Sequence, residues 1–321
     1  MSEQPTMAPT RWGIAGPGRM AAGIVNDFRA AGNAELVAVG SRSAERAEVF
    51  ATEHGIERWH SSYETLVNDP EIDAVYIATP HPQHTDLALA AIEAGKAILV
   101  EKAFTASVAD TERVVAAARA AGVFAMEAMW TRFNPAVAHA REVIAAGEIG
   151  ELRGCQGDLT AFRAFDADDR LFDPALGGGA VLDLGVYVIS FAQHFLGTPQ
   201  VVHAAGARYP SRVEGEFSLL FGYADGRSAT LAGGFTSYGP GRMMLTGTEG
   251  WIDFHPRFHR AASITVWREK TPEHLEFDSG YTFEIEHVGE CLAAGLTESP
   301  VMPLDDTIAV QRIMAEVLTQ I

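Results

Sequence analysis

The apolar segment GGGAVLDLGVY, residues 177–187, carries two side chains that can bind or exchange protons. Asp183 and Tyr187 stand four residues apart, and this spacing places both on one face of a helix. The interior Gly185 costs such a helix about 1 kcal/mol relative to alanine, and a buried carboxylate costs more unless it is paired. We therefore expect a catalytic face, with glycines that let the reacting groups approach closely. An acid favoured by the helix dipole and a core tyrosine are the structural alternative.

Lys102 is a candidate partner for that tyrosine. It follows the apolar strand AILVE, residues 97–101, where a buried strand of a parallel sheet would meet a ligand crevice. A phenol has an ordinary pKa of about 10, so it needs help to exchange a proton at neutral pH. A nearby ammonium group would lower the pKa of Tyr187, and Asp183 would anchor a substrate hydroxyl or the lysine. A surface lysine is the alternative.

A glycine-rich turn stands near the start of the chain. GIAGPGRMA, residues 13–21, presents Gly16-x-Gly18-x-x-Ala21 between an apolar strand and a helical segment. In this context the glycines let the backbone approach a pyrophosphate, and the helix N-terminus offers free N–H groups. The pattern predicts a dinucleotide site, although the motif alone is also typical of a tight turn. The predicted contacts from this turn are Gly16, Gly18, Arg19 and Met20.

The end of the second strand, ELVAVGS at residues 35–41, selects between the two nicotinamide dinucleotides. An acid here would bind the ribose hydroxyl of NAD, and no acid stands at the strand end. Ser41, Arg42 and Arg46 can instead surround a 2′-phosphate, since guanidinium groups bind phosphate well. We predict NADP, with NAD left open. The alternative is a solvated helix start in which Arg42 pairs with Glu45.

Further polar residues follow the later strands, at the edge where ligands bind to a parallel sheet. ATPHPQH, residues 78–84, and EAMWTRF, residues 127–133, contain most of them. For each histidine, a helix cap or a loop position is the alternative. The predicted cofactor contacts are Thr79, Pro80, His81, His84, Glu101 and Lys102. The predicted substrate-pocket residues are Trp130, Arg132 and Phe165.

The order of elements predicts an α/β protein with two domains, as expected for 321 residues. Residues 1–127 alternate between strand and helix, which predicts a doubly wound parallel Rossmann sheet that binds the dinucleotide. Beyond this boundary, strands with period-two alternation predominate between residues 201 and 277, and helices precede and follow them. Residues 128–321 are therefore predicted to form an α+β substrate-binding domain with an open, mainly antiparallel sheet.

Composition and charge narrow the class of protein. The net charge of −18 argues against nucleic-acid and anionic-membrane partners, because both require a basic surface. The chain has two cysteines, Cys155 and Cys291, without paired spacing, which predicts a reducing compartment and no metal site or disulfide. The N-terminal MSEQPTMAPT does not resemble a signal peptide, and no apolar run is expected to span a bilayer. We expect a cytoplasmic protein.

The motifs, taken in order, resemble the glucose–fructose oxidoreductase / inositol dehydrogenase / MocA (Gfo/Idh/MocA) family, over nearly the whole chain. They are the Gly16 loop, ATPHPQH, AGKAILVEKAF and GGGAVLDLGVY. Within the family, YIATPHPQH, EAMWTRFNPA and FDPALGGGAVLDLGVY are most similar to the branch of dimeric dihydrodiol dehydrogenases and NADP-dependent sugar (xylose) dehydrogenases. One difference is Ala103, because the family usually has Glu-Lys-Pro at this point. The change removes a rigid φ but no chemical group.

This resemblance implies NAD(P) on the Rossmann domain and a small-molecule substrate between the domains. It also implies that Lys102, Asp183 and Tyr187 form the catalytic set. The expected reaction is hydride transfer between nicotinamide and a carbinol or carbonyl of a sugar, polyol or vicinal diol. Association through the outer face of the C-terminal sheet would give a homodimer or homotetramer.

Two other functions remain open on the sequence. One is a redox-neutral, glycosidase-like, NAD-dependent enzyme that processes sugars with a tightly held cofactor, and the NADP-like strand end argues against it. The other is a non-catalytic protein that senses dinucleotides. Such proteins usually lose the acid, the lysine or the tyrosine, and this chain keeps all three.

Overall fold

The first sheet of the protein is parallel and has six strands. The computed structural model describes residues 8–321; residues 1–7, which open the segment predicted not to be a signal peptide, lie outside the described part. The strands are β1 (Thr10–Ala15), β2 (Ala34–Gly40), β3 (Arg58–His60), β4 (Ala74–Ile77), β5 (Ala97–Glu101) and β6 (Ala125–Ala128). Their order, β3-β2-β1-β4-β5-β6, is that of a dinucleotide-binding Rossmann sheet and confirms the predicted architecture.

Helices between these strands bury the sheet. They are α1 (Arg19–Ala30), α2 (Ala44–His54), α3 (Tyr63–Val67), α4 (His84–Glu93) and α5 (Val108–Ala121). Every residue of β4 and β5 is buried, so the centre of the sheet is covered on both faces. The helix starts follow from capping: Ser43, Ser62 and Ser107 each accept a backbone N–H from the first turn of α2, α3 and α5.

The second sheet has eight strands and is mainly antiparallel, as predicted. Its elements are α6 (Pro135–Ala145), β7 (Leu152–Thr160), α7 (Val186–Leu196), β8 (Val201–Arg208), β9 (Glu214–Gly222), β10 (Ser228–Gly234), β11 (Met243–Gly247), β12 (Gly250–Phe254), β13 (Ser263–Arg268) and β14 (Thr271–Glu276). The order is β14-β13-β12-β11-β7-β10-β9-β8, and β7 and β10 are its parallel pair. Alternating burial along β9 gives the sheet one covered face, against which α7 packs.

The last two helices divide between two compact units. They are α8 (Thr282–Ala293) and α9 (Leu304–Gln320). Among the described residues, the first unit contains 8–128 and also Tyr281–Leu304, and the second contains Met129–Gly280 and Asp305–Ile321. The break after Ala128 lies one residue from the predicted boundary. The return of residues 281–304 to the Rossmann unit was not predicted, and it follows from packing of α8 against α1 and β2.

One apolar segment is longer than we expected from the sequence. Pro174–Leu196 has 23 residues and is long and apolar enough to cross a bilayer, contrary to the expectation that no such run exists. Within the fold, 72% of its most apolar window is buried. Burial inside the second unit therefore explains the apolar composition of this segment.

Candidate active site

Tyr187 is held by an aromatic cluster in the second unit. Trp130 begins a 3-10 turn that follows β6, and its indole N–H donates a hydrogen bond to the phenol oxygen of Tyr187 at 3.0 Å. The ring of His259 contacts both residues, with centroid distances of 5.3 Å to Tyr187 and 5.9 Å to Trp130. Tyr187 and Trp130 are both buried. The hydrogen bond and the ring contacts fix the orientation of the phenol.

The helix that carries Tyr187 does not begin as an ordinary α-helix. Residues Val181–Gly185 form a π-helical turn, and the α-helix proper starts at Val186. Asp183 therefore lies in the π turn and is half-buried, whereas Tyr187 lies in α7. The predicted face shared by these two residues assumed one continuous α-helix, and the π turn changes that geometry.

The glycines before this turn make room for a carboxylate of the same unit. Gly179 has a φ of +116°, and a Cβ there would collide with the side chain of Glu214. Glu214 is buried, and one of its oxygens accepts the backbone N–H of Val181 at 2.8 Å. Burial raises the pKa of Glu214. Gly185 is similarly close to Phe217, whose ring would lie 3.2 Å from an added Cβ. The glycines are thus explained by packing on β9, and the approach of substrate to them stays a prediction.

The loop after β5 presents Lys102 and is tied to the loop after β4. The backbone N–H of Ala103 donates to His81 Nε2 at 3.1 Å, and the same nitrogen lies 3.2 Å from the carbonyl oxygen of Lys102. His84 is fully buried: its Nε2 lies 2.6 Å from the carbonyl oxygen of Thr79, and its Nδ1 lies 3.2 Å from that of Ala103. The peptide bond between Lys102 and Ala103 is cis. The structure therefore brings four of the residues predicted at these strand ends into one cluster.

Glu101 has a partner inside the sheet. The phenol of the fully buried Tyr76 donates to its carboxylate. Burial and the nearby charge of Glu101 raise the pKa of Tyr76 well above its ordinary value. The same carboxylate charge acts on Glu284 of α8, whose pKa is raised mainly by burial. Neither Tyr76 nor Glu284 was predicted: Tyr76 opens the motif YIATPHPQH but was given no role, and Glu284 stands in none of the motifs. The cofactor contact of Glu101 stays a prediction.

The glycine turn has the shape that a pyrophosphate requires. Gly16 has a φ of +100°, and a Cβ there would lie 2.9 Å from the methyl group of Thr79. Gly18 caps α1 without a side-chain hydrogen bond, and a Cβ on it would meet no atom within 4 Å. The open space beside Gly18 and the N–H groups at the start of α1 fit a dinucleotide phosphate. Arg19 is exposed at the first position of α1, and Met20 Sδ accepts from the phenol of Tyr281 at 3.9 Å.

Positive charge gathers at the end of β2. Arg46 Nη2 donates to the carbonyl oxygen of Pro17 at 3.4 Å, so its guanidinium reaches the glycine turn. The buried Ser41 accepts the N–H of Ser43 through its hydroxyl at 3.1 Å. Tyr63 lies beside Arg42 and Arg46: burial raises the pKa of its phenol, and the two arginines oppose that rise.

Arg42 and Tyr63 also line a surface groove of about 630 Å³, together with Pro82, Gln83 and Leu87 of the loop and helix that follow β4. Arg42 thus interacts with Tyr63, and among residues 8–321 no ion pair joins it to Glu45, the alternative drawn from the sequence. Tyr63 was not predicted. Tyr63 stands 21 residues after Arg42 in the chain, which is too far for helical or strand periodicity to link the two residues.

Two residues predicted for the substrate pocket have defined partners in the second unit. The buried Arg132 pairs with Asp306 at 2.6 Å and donates to Gln193 Oε1 at 2.6 Å. These contacts give Arg132 a structural role that the sequence did not indicate. Phe165 is 43% exposed and stacks on Tyr209 with ring centroids 5.5 Å apart. The assignment of both residues to the substrate pocket stays a prediction.

A metal site is not formed by the described residues: no group of three or more His, Cys, Asp or Glu side chains in 8–321 is arranged to hold a metal ion. The residues that the structure brings together near strand ends are instead a glycine turn, an arginine pair and a lysine loop. These are features that bind a dinucleotide and exchange protons.

Comparison with known proteins agrees with this assignment. Residues 10–129 match the oxidoreductase family with an NAD-binding Rossmann fold, and residues 137–253 match the GFO/IDH/MocA C-terminal domain. The trans-1,2-dihydrobenzene-1,2-diol dehydrogenase of Sus scrofa is 33% identical over 97% of this chain and 95% of its own length.

Two solved structures share the fold over nearly the whole chain. A 3-ketoreductase from Actinomadura kijaniata in complex with NADP has a TM-score of 0.84 and 25% identity, covering 97% of this chain and 98% of its own. A levoglucosan dehydrogenase in complex with NADH and levoglucosan has a TM-score of 0.88 and 22% identity, with 97% and 98% covered. Together, the family models and the dihydrodiol dehydrogenase similarity show that the chain belongs to the Gfo/Idh/MocA family of NAD(P)-binding oxidoreductases and is a dehydrogenase or reductase acting on CH–OH groups.

Proposed function

We propose that the protein is an NADP-dependent oxidoreductase that interconverts a carbinol and a carbonyl on a sugar, polyol or vicinal diol. The observation that carries the proposal is the hydrogen bond from Trp130 to the phenol oxygen of Tyr187. It supports a phenol that is held in a fixed orientation, on the same helix segment as Asp183. The diol class is supported by the name of the dehydrogenase in Sus scrofa.

The proton is assigned to Tyr187. In the direction of oxidation, its phenolate oxygen takes the proton of the substrate hydroxyl, and in reduction the phenol returns it. The positive charge of Lys102 favours the phenolate. Asp183 accepts a hydrogen bond from a substrate hydroxyl and so orients the carbinol. The bound dinucleotide supplies or accepts the hydride at nicotinamide C4.

The preference for NADP is supported by the charges at the end of β2. Arg42 and Arg46 bring two guanidinium groups to this strand end, and an acid that would bind the ribose hydroxyl of NAD is missing from it. Arg46 also reaches the glycine turn through Pro17. The 3-ketoreductase was solved with NADP and the levoglucosan dehydrogenase with NADH, so the preference rests on the charges of this chain.

The proposal also includes a homo-oligomer and a location in the cytoplasm. The face of the second sheet opposite α7 carries Leu220, which is 46% exposed, and the stacked pair Trp251 and Trp267 with centroids 4.8 Å apart. We expect this face to form a homodimer or homotetramer, which sedimentation velocity measures directly. The two cysteines are both free and buried, which fits a protein of the cytoplasm.

The test is nicotinamide absorbance with NADP or NADPH against a panel of aldoses, inositols, anhydro-ketoses and diols. The proposal predicts substrate-dependent turnover, faster with NADP(H) than with NAD(H). A dinucleotide retained through dialysis, with no net absorbance change during substrate conversion, would instead support the redox-neutral function. Binding of NADPH without turnover of any substrate would support a sensor.

A further inference from the structure

The peptide unit after Lys102 is recognised by a side chain. Ala103 is fully buried, and its backbone N–H donates to Nε2 of the buried His81 at 3.1 Å. The carbonyl oxygen of Lys102, which belongs to the same peptide unit, lies 3.2 Å from that nitrogen. A buried N–H needs an acceptor. His81 is thus placed to fix the backbone at the residue proposed to assist proton transfer.

The two contacts make different demands on the imidazole. Nε2 must carry a lone pair to accept the N–H of Ala103, and it must carry a proton to donate to the carbonyl of Lys102. Every residue except proline has a backbone N–H. By accepting this N–H, His81 satisfies the donor of Ala103. The alanine at this position therefore creates a hydrogen bond that the usual Glu-Lys-Pro sequence could not make.

A second histidine holds the following residues. His84 Nδ1 lies 3.2 Å from the carbonyl oxygen of Ala103 and 3.1 Å from that of Phe104, and its Nε2 lies 2.6 Å from that of Thr79. The ring of His84 packs edge-on against that of His81, with centroids 5.6 Å apart. The two histidines that follow β4 thus contact the backbone of Lys102, Ala103 and Phe104.

We propose that His81 is a positioning residue for Lys102, which acts by accepting the backbone N–H of Ala103. The fixed peptide unit sets the direction in which the lysine side chain leaves the backbone. This inference rests on the proposed role of Lys102 in the reaction. His81 then acts on the backbone next to Lys102, whereas the sequence led us to expect a direct contact with the cofactor.

The experiment combines His81→Phe, His81→Gln and Ala103→Pro with the double variant His81→Phe/Ala103→Pro, all bound to NADPH. The turnover number kcat is measured for all four, and hydrogen–deuterium exchange of the Ala103 amide is measured for the unaltered protein and for the two variants that keep Ala103. His81→Phe is expected to speed exchange and lower kcat, each about tenfold, because the acceptor is lost. His81→Gln has a side-chain oxygen that can accept the N–H and should recover part of both losses. His54→Phe, on the half-buried end of α2, is the matched control and should change neither.

The coupling between positions 81 and 103 decides the mechanism. Once Ala103→Pro has removed the N–H, adding His81→Phe should change kcat by less than twofold. An equal loss of kcat with and without Ala103→Pro would overturn the proposal, as would unchanged exchange in His81→Phe. A raised KM for NADP with unchanged kcat would show cofactor contact instead. If Ala103→Pro does not fold, amide exchange in His81→Phe and the recovery in His81→Gln still test the proposal. Absence of turnover in the unaltered protein would refute the proposed function alone, since exchange is measured without it.

Discussion

The indole N–H of Trp130 donates to the phenol oxygen of Tyr187, although the two residues are 57 positions apart in the chain. Trp130 lies in the turn that follows β6, and Tyr187 lies in the first turn of α7. Both residues are buried, and each polar group satisfies the other. The contact therefore fixes the orientation of the phenol oxygen.

Replacing Trp130 by phenylalanine should weaken catalysis without removing the aromatic packing on His259. Loss of the N–H donor is expected to lower kcat about tenfold. The reason is that the phenol oxygen is no longer held in one orientation. The measurement is kcat with the best substrate of the panel. Trp59→Phe, at a position 41% exposed on β3, is the control, and a kcat of Trp130→Phe equal to that of the control would contradict the assignment.

Replacing Arg42 by alanine should change cofactor preference. We expect the KM for NADP to rise by about tenfold or more, while the KM for NAD changes little, because a charge-assisted hydrogen bond to phosphate is lost. Steady-state kinetics with both cofactors measures the ratio. Arg113→Ala, whose side chain is 59% exposed, is the matched control. Equal increases in both KM values would show that Arg42 does not read the 2′-phosphate.

Glu284 should make the stability of the protein depend on pH. The side chain is fully buried, and neither of its oxygens has a hydrogen-bond partner. Burial, and then the charges of Glu101 and Asp27, raise its pKa well above the ordinary value. The folded state keeps the proton that the unfolded state loses above a pH of about 4.3. Stability should therefore fall as pH rises from there towards the folded-state pKa.

Glu284→Gln removes this titration and should stabilise the protein at pH 7 to 8 by at least about 1 kcal/mol. The gain should shrink towards pH 4, where the glutamate is neutral in both states. Thermal unfolding across this range measures it, and the exposed Glu290→Gln on the same helix is the control. A variant that is less stable than the unaltered protein at pH 8 would show that the carboxylate is paired or hydrated.

Arg132→Ala should act mainly on folding. The variant leaves the half-buried Asp306 with the amide of Gln193 as its remaining donor and removes the buried guanidinium, which should cost about 1–3 kcal/mol. The guanidinium also donates to Ser190 Oγ at 3.1 Å, so α7 and α9 would lose a shared contact. Urea unfolding measures the loss. Unchanged stability with a raised substrate KM would favour the substrate-pocket role expected from the sequence.

Local patterns predicted the Rossmann half well, because its chemistry lies at strand ends that the sequence marks. The strand before Gly16 and the buried run before Lys102 both depend on neighbours within a few residues. The confirmed family and fold class rest on motifs of this kind.

The remaining features depend on contacts between distant segments. Glu214 fills the space beside Gly179 from 35 residues away, and Asp27 accepts the backbone N–H of Tyr281 at 2.9 Å from 254 residues away. His259 reaches Tyr187 only because the turn after β12 returns to α7. No period along the chain encodes such pairs, so the return of α8 to the first unit could not be predicted from spacing.

Tyr187 is proposed to exchange the substrate proton in an NADP-dependent oxidation or reduction. Turnover by Tyr187→Phe, measured by nicotinamide absorbance with the best substrate of the panel, tests it most directly. We expect a loss in kcat of at least about 100-fold, with NADPH binding unchanged in a fluorescence titration. Full turnover by Tyr187→Phe would contradict it.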